Sequence, residues 1–582
     1  MTTSAAEAPD VERAAWFGDL HLHTGQSFDA AASGVPTSLD DAYRYAQGAA
    51  VQYLGRQVQR KVPLDFLAVT DHAEYMGIAR LAANPAGPFA GTSWPQRLAE
   101  VSEDTLGYMG IFSASAFRGV APAIPEFVAQ PLLNDIWQGV IDAAQRHYRP
   151  GQFTTFVAFE WSPMPDGAHL HRNVIFRGPE YPQRPFSALD SQRPEDLWDY
   201  AELLRARDID SVLIPHNPNM SQGLMFAGED SRGDPITREY AERRIANERL
   251  VEIAQNKGTS ETRPEFGAPD EFAAFELIDL ATERGADPAG GHVRQALARG
   301  LEIEAATGAN PFRFGFIGST DSHSGLATTE EDNFAGALGR SDDMSDPQMV
   351  LAQVNPVAGA PAAIFSAGAL TGLWAEENTR ESLFAAMQRR EAFATSGTRI
   401  HVRLFAGRDF PADLLQRPDW VQRAYASGYP MGADMPGDST PLRPMQLAVQ
   451  AVKDPGGANL DRIQIIKVWL QDGQAHEVIH DVAWSGARVP DPQTGILPAL
   501  DSTVDTTTAT YSNSIGAVEL ATLWTDPDFD ATQAAVYYAR VLEIPTPRWS
   551  THLAVQHGLP LPDSVPASIQ ERAWTSPVYY TP

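Results

Sequence analysis

The 582-residue chain has no cysteine, which excludes disulfides, thiolate metal ligands and cysteine nucleophiles together. Any metal it binds must be held by nitrogen and oxygen. Long apolar runs are missing too. No segment approaches the length needed to span a bilayer, so no membrane partner is expected. The opening residues, MTTSAAEAPDVERAAW, carry no apolar signal-peptide core. The expected protein is soluble, cytoplasmic if Met1 is native and periplasmic if a signal has been removed. Basic residues are scarce, with 44 Lys and Arg against 74 Asp and Glu and a formal net charge of −30. Such a surface repels phosphate backbones and argues against nucleic acid as a partner. It leaves room for a local cationic pocket.

What remains is ordinary globular material, 43% hydrophobic and 20% charged, long enough for two or three domains. From residue 16 to about 325, short apolar runs alternate with helical stretches, the pattern of an α/β fold. The predicted strands are Trp16 to Leu20, Phe66 to Thr70, Phe153 to Phe159, Val174 to Phe176, Val212 to Pro215, Leu250 to Ala254 and Phe314 to Gly318. A helical insertion, a lid in form, is expected over about 80–150, and a solvated helix over Arg232 to Asn247. After Gly397 the texture becomes β-like, in RIHVRLFAG, MQLAVQAVKDPGG, RIQIIKVWL and AAVYYARVLEI. The reading is a first domain over 16–397, with core motifs in 16–325, and a β-rich accessory domain over 398–582. DPGG follows a β run, so it is read as a hairpin turn and not a phosphate cradle. The tail, with PTPRWST and AWTSPVYY, is expected to be an extended strap against the body.

Chemistry concentrates at the predicted strand ends. FGDLHLHTGQSFDA places His21 and His23 two apart after an apolar run, on one face of a strand. DFLAVTDHAEYMG ends its run with Asp71 and His72. FVAFEWSPMPDGAHLHRNVIF ends its run with Glu160 and places His171 before the next one. SVLIPHNPNM supplies His216, and FGFIGSTDSHSG supplies Asp321 and His323. Singly, each is as readily a hydrogen-bonded strand end or a helix cap. Six of the fourteen histidines at such positions is another matter, because buried charged groups cluster when they are paired or metal-bound. His169, two residues from His171, competes with it as a ligand; His171 is preferred because it abuts the following strand.

The order HxH, DH, Glu, His, His, DxH resembles the PHP (polymerase and histidinol phosphatase) superfamily. The wording of TDHAEY, LHRNVIF, GSTDSHSG and AWTSPVYY is similar to a bacterial branch catalogued as a domain of unknown function. The resemblance implies a distorted (β/α) barrel holding two or three divalent metal ions. In that pattern His21, His23, Glu160 and Asp321 hold the first ion, and Glu160 bridges to a second on His171 and His216. His72 and His323 hold a third, with Asp29 in place of the histidine often found there. Glu252 falls in a segment resembling one that lines the pocket in relatives and is expected to support a ligand. Lys257 and Arg172 are candidate anion contacts.

Nitrogen and carboxylate ligands suit Zn, Mn or Fe. The expected activity is a metal-dependent hydrolase that uses a metal-bridging hydroxide on a phosphate ester of a small, anionic substrate. Asp71, Asp321 or His323 handles the leaving-group proton. A hydrolase of a carboxylic ester, lactone or amide is the alternative enzyme; a non-catalytic metal-containing binding protein is the alternative outside catalysis.

Overall fold

All seven apolar runs form strands: β1 (Ala14–Asp19), β2 (Phe66–Val69), β3 (Thr154–Trp161), β4 (Arg172–Phe176), β5 (Ser211–Pro215), β6 (Leu250–Gln255) and β7 (Gly315–Gly318). The computed structural model describes residues 12–278, 287–355, 359–437, 443–493 and 495–582. The segment through residue 11, read above for signal-peptide character, lies outside them. No helix among the described residues is long and apolar enough to cross a membrane.

Side chains alternate between the two faces of a strand, and that alternation builds two cores. On one face Phe66, Ala68, Phe156, Ala158, Ile175, Val212, Ile214, Leu250 and Ile317 meet in a common interior. On the other, Leu67, Val69, Val157, Phe159, Val174 and Leu213 pack with Trp137, Val140 and Ala144 of a long helix. Each fully buried aliphatic or aromatic side chain of these layers contributes about 1.5–3 kcal/mol relative to exposure.

Helices used below are α1 (Phe28–Ala32), α2 (Thr105–Ala116), α3 (Gln130–His147), α4 (Arg238–Asn247), α5 (Val293–Thr307) and α6 (Trp549–His557). The stretch predicted as a helical insertion supplies α2 and α3. The helix predicted from Arg232 begins at Arg238, where the Thr237 side chain accepts from the Tyr240 amide as N-cap. It is not wholly solvated: Arg244 is buried and paired with Glu248 at 3.0 Å.

A closed barrel is not formed by hydrogen-bonded strands among the described residues. β1, β2 and β3 run parallel, but β4 is antiparallel to both β3 and β5, and β6 pairs with β7 in a separate small sheet. The edge of β1 that a barrel would offer to β7 is taken by an antiparallel partner, β8 (Leu370–Ala375), with Phe17 opposite Gly372. Just past the strands, Leu22 bridges Ser322 and links the two ends of the array.

Through β8 the sheet continues into the C-terminal half. Its strands are β9 (Ala392–Thr395), β10 (His401–Gly407), β11 (Asp434–Pro436), β12 (Gln446–Val452), β13 (Leu460–Gln471), β14 (Gln474–Trp484), β15 (Glu519–Thr525), β16 (Ala535–Glu543), β17 (Arg572–Thr575) and β18 (Val578–Thr581). The result is one 13-stranded mixed sheet in the order β11-β18-β16-β17-β9-β8-β1-β2-β3-β4-β5, with β13 on β16 and β14 on β13. β12 lies between β10 and β15 in a second sheet. The tail does pack back onto the body, as strands and a helix in place of a strap. AWTSPVYY supplies β17 and β18, and β17 lies between β9 and β16. PTPRWST runs into α6.

A buried charge network binds the halves. Arg294 of α5 and Arg540 of β16, both fully buried, meet Glu261 and Asp270 from the loops after β6 at 2.6–3.1 Å. Tyr538 and Trp574 donate to Glu261 at 2.7 and 2.8 Å.

Candidate metal centre

The alternation that fills the core also delivers the polar residues. Past Phe156 and Ala158, the inward face of β3 reaches Glu160, and past Val212 and Ile214 that of β5 reaches His216. His72 continues the Phe66–Ala68 face of β2. β4 runs the other way, so Ile175 and Asn173 lead back to His171; this histidine precedes its strand where the others follow theirs. His21 and His23 lie beyond β1. Asp321 ends β7 in the left-handed region at φ 47°, a conformation that aspartate tolerates better than most residues, and its amide donates to the His21 carbonyl at 2.8 Å.

Four buried atoms form a cage. His21 Nε2 and His23 Nε2 face each other at 3.2 Å. Glu160 Oε2 lies 3.6 and 3.0 Å from them, and Asp321 Oδ1 lies 3.3 and 3.4 Å away. His21, His23 and Asp321 thus present three atoms 3.2–3.4 Å apart, the spacing of ligands that share one ion at bonds of about 2 Å. Among the described residues three groups of side chains could hold a metal ion: His21 with His23 and Asp321; His21 with Glu160 and His216; and His23 with His72 and His323.

The surroundings select the protonation that a ligand needs. His21 Nδ1 meets the Glu252 carboxylate at 3.0 Å, which leaves Nε2 as the atom a metal would take; without one, Asp321, Glu252 and Glu160 outweigh burial and hold the ring well above its ordinary pKa. His23 Nδ1 meets Ser27 Oγ at 2.9 Å. That hydroxyl donates to Asp71 Oδ1 at 2.8 Å and accepts from the His72 amide at 3.1 Å. One donor and two acceptor sites exhaust a serine, so His23 Nδ1 must donate and its Nε2 is left bare. Among the described residues Glu160 Oε2, His171 Nε2 and His216 Nδ1 are buried without a hydrogen-bond partner.

Glu160 Oε1 lies 2.6 Å from His171 Nδ1 and 3.0 Å from His216 Nε2. Asp29, on α1, places Oδ2 at 3.1 Å from His72 Nε2 and 3.0 Å from His323 Nε2. Burial alone would raise the Glu160 carboxyl, but His72, His216 and His171 hold it well below the ordinary range. Asp321 is likewise low, burial being outweighed by His21 and Lys257. Burial lowers His171 and His216 to about 4, leaving both imidazoles neutral at neutral pH. For His72, burial is overcome by Glu160 and Asp29, and the pKa rises to about 10.

A cavity of about 480 Å³ opens on this cluster, reaching Asp29, His72, Glu160, His171, Asp321 and His323. Its other walls include Met109 of α2, Phe117, Met164, Met220, Leu338 and Phe365. Lys257 lines it and pairs with Asp321 Oδ2. His169 lines it beside His171, the two rings 4.8 Å apart.

Two expected site residues are brought neither to the cavity nor to the cluster of histidines and acids behind it. Asp71 points away from His72, as adjacent residues at a strand end do. Its Oδ1 accepts from the Thr24 amide at 2.7 Å and the Ser27 amide at 3.2 Å as well as from Ser27 Oγ, and its Oδ2 accepts from Thr24 Oγ1 at 2.7 Å. Asp71 therefore fastens the Thr24–Ser27 loop that carries the ligand-bearing segment. Arg172 is buried against Glu248 at 3.1 Å and donates to the Leu170 carbonyl at 2.6 Å. Ser27, Ser162, whose Oγ lies 2.6 Å from His72 Nδ1, and the cavity-lining Arg118 escaped the sequence reading. Ser27 stands inside a motif quoted there, but a serine gives no signal until its neighbours are known.

The family described as "Protein of unknown function (DUF3604)" matches residues 10–582. No curated protein matches the chain. A solved two-domain protein from Bacteroides vulgatus ATCC 8482, described as containing a predicted PHP-like metal-dependent phosphoesterase, is 10% identical over 92% of this chain and 94% of that one, with a TM-score of 0.30. So loose a likeness carries no argument about this chain.

Proposed function

We propose that the chain, which belongs to the DUF3604 family, is a metal-dependent hydrolase of the PHP kind that acts on a phosphate ester. The observation that carries this reading is the cage of His21, His23, Glu160 and Asp321, with both imidazole Nε2 atoms set inward by Glu252 and Ser27. These four would hold one divalent ion. Glu160 with His171 and His216 would hold a second, and Asp29 with His72 and His323 a third. Zn, Mn and Fe all suit such donors. An ion held there lowers the pKa of water and stabilises negative charge at the attacked centre. On this reading residues 16–397 are the catalytic domain.

The protein's own groups supply the rest. Lys257 is the anion contact, its ammonium resting on Asp321 until a substrate oxygen competes for it. Where no third ion is bound, His323, which reaches the cavity with its side chain 13% exposed, is placed to hand a proton to a leaving group. Asp71 is a positioning residue. Met109, Phe117, Met164, Met220, Leu338 and Phe365 keep water from the leaving group, which fits an ester with an apolar body. Because Arg172 is committed to Glu248, only one of the two candidate anion contacts serves the cavity. That favours hydrolysis of a carboxylic ester, lactone or amide as the second reading.

Paired measurement of metal content and turnover tests both. Zn-, Mn- and Fe-loaded protein is assayed on 4-nitrophenyl phosphate, bis(4-nitrophenyl) phosphate, 4-nitrophenyl acetate, a lactone and an anilide. Phosphoester turnover that a chelator removes and metal restores is the expected result. Turnover of carbon esters, lactone or anilide alone supports the second reading. Metal-loaded protein inert toward all five contradicts catalysis.

A further inference from the structure

A second cavity, of about 490 Å³, opens at the junction of the two halves, away from the metal centre. It is walled by the stretch around Thr329–Asp332, the turn at Asp454–Gly457, the end of β16 and part of α6. Six carboxylates line it: Glu330, Glu331, Asp332, Asp454, Glu543 and Glu571.

Three of them are spent. Glu330 accepts from the amides of Lys61 and Val62 at 3.0 and 3.1 Å, and Asp332 pairs with Lys61 Nζ at 2.7 Å. Asp454 accepts from the amides of Arg399 and Gly456, both at 2.8 Å. The other three are not. Among the described residues both oxygens of Glu543 lack a hydrogen-bond partner, as do one oxygen of Glu571 and one of Glu331. Glu543 is 0% and Glu571 2% exposed.

The surrounding cations are committed elsewhere. Lys453 Nζ donates to the carbonyls of Asp454 and Gly457, both at 2.8 Å. Arg548 is held by Glu276 at 2.8 Å and by the carbonyls of Ala363, Ile364 and Phe365 at 2.6–3.1 Å. The Thr398 hydroxyl and the Ala458 amide face Glu543 and pull its pKa down, but burial outweighs them and, with Asp454 adding, lifts it to about 8. Burial lifts Glu331 to about 7 against the pull of Arg548. Glu571 is raised well above the ordinary range by burial, with Glu331 and Glu543 adding. Carboxyls raised this far hold protons near neutral pH, and a cationic donor would take the place of those protons.

The spacing decides which kind. Among the described residues no three of these carboxylates bring an oxygen each within 4.8 Å of one another, as the metal centre's ligands do. A bare divalent ion needs six to eight oxygens around one point. The void is also far larger than an ion. We propose that this junction cavity binds a small organic cation with two or more protonated amine nitrogens, an aliphatic di- or polyamine, held by Glu543, Glu571 and Glu331. Each nitrogen brings N–H donors to the carboxylate oxygens that have no hydrogen bond among the described residues. The site does not depend on the hydrolase reading.

Calorimetric titration of the full chain with putrescine and with spermidine, in about 0.15 M salt to screen the acidic surface, is the test. Saturable binding at one site is expected. Glu543→Gln and Glu571→Gln should each raise the dissociation constant about tenfold or more, while Glu239→Gln on exposed α4 leaves it unchanged. Thermal melts of the variants check folding. A crystal of the wild-type protein soaked in spermidine should place nitrogen density against Glu543, and this outcome needs no variant. No saturable heat with either amine overturns the proposal. So does binding at many sites that ignores both substitutions, or calcium binding at the same site with the same dependence on Glu543.

Discussion

Two of the buried charge clusters among the described residues are built on opposite rules. In the network of Glu261, Asp270, Arg294 and Arg540, every carboxylate oxygen meets a guanidinium, a phenol or an indole. Two acids face two bases, and the one Arg294 nitrogen without a hydrogen bond lies 3.6 Å from a third acid, Glu477. At the strand ends, Asp29, Glu160 and Asp321 face six imidazoles, two of them neutral at about pKa 4, and one lysine. Two imidazole nitrogens there face each other across 3.2 Å. A cluster whose acids meet bases is structural, and one whose metal-binding atoms converge on a common point has the form of a ligand site.

That contrast can be broken from either side. His21→Ala should abolish metal-dependent turnover and metal uptake in the cage together, while the melting temperature of metal-free protein changes by no more than a few degrees; full activity would sink the assignment. Arg540→Leu should do the reverse. It strands two buried carboxylates, and about 3–5 kcal/mol of stability should be lost in urea unfolding, with metal stoichiometry unchanged in the protein that remains folded. The pH dependence separates the clusters further. Burial would raise Glu261, but Arg540 and Arg294 bring it down to about 2. A carboxyl depressed below its ordinary 4.5 contributes stability above that value, and the contribution is lost as pH falls from about 4.5 toward 2. Roughly 3 kcal/mol of acid sensitivity should therefore vanish in Glu261→Gln, measured by unfolding at pH 5, 4 and 3. The smallest expected effect is at Glu252→Ala, which frees the His21 ring and should weaken metal binding about 10- to 100-fold without unfolding the chain.

The two clusters also differ in how far they could be read from sequence. The seven strands were legible because each is a continuous apolar run, and the strand-end histidines were legible because polar residues directly after such runs are conspicuous. His171 and Arg172 illustrate the limit. Adjacent residues on a strand face opposite ways, so a centre that takes His171 cannot take Arg172; the same parity separates His72 from Asp71. The charge network gave no such signal. Arg540 sits in AVYYARVLE and Arg294 opens an amphipathic helix, where either reads as an ordinary exposed base. Their partners lie 270–279 and 24–33 residues away. The open sheet was hidden for a related reason: β8 takes the free edge of β1, and β17 enters between β9 and β16, by pairings that no local pattern encodes.

Anomalous scattering from crystals of metal-loaded protein, recorded at the Zn, Mn and Fe edges, tests the central claim most directly. An ion equidistant from His21, His23, Glu160 and Asp321, with one or two more beside Glu160 and Asp29, is the result predicted. Loaded crystals with no anomalous peak inside that cage would contradict it.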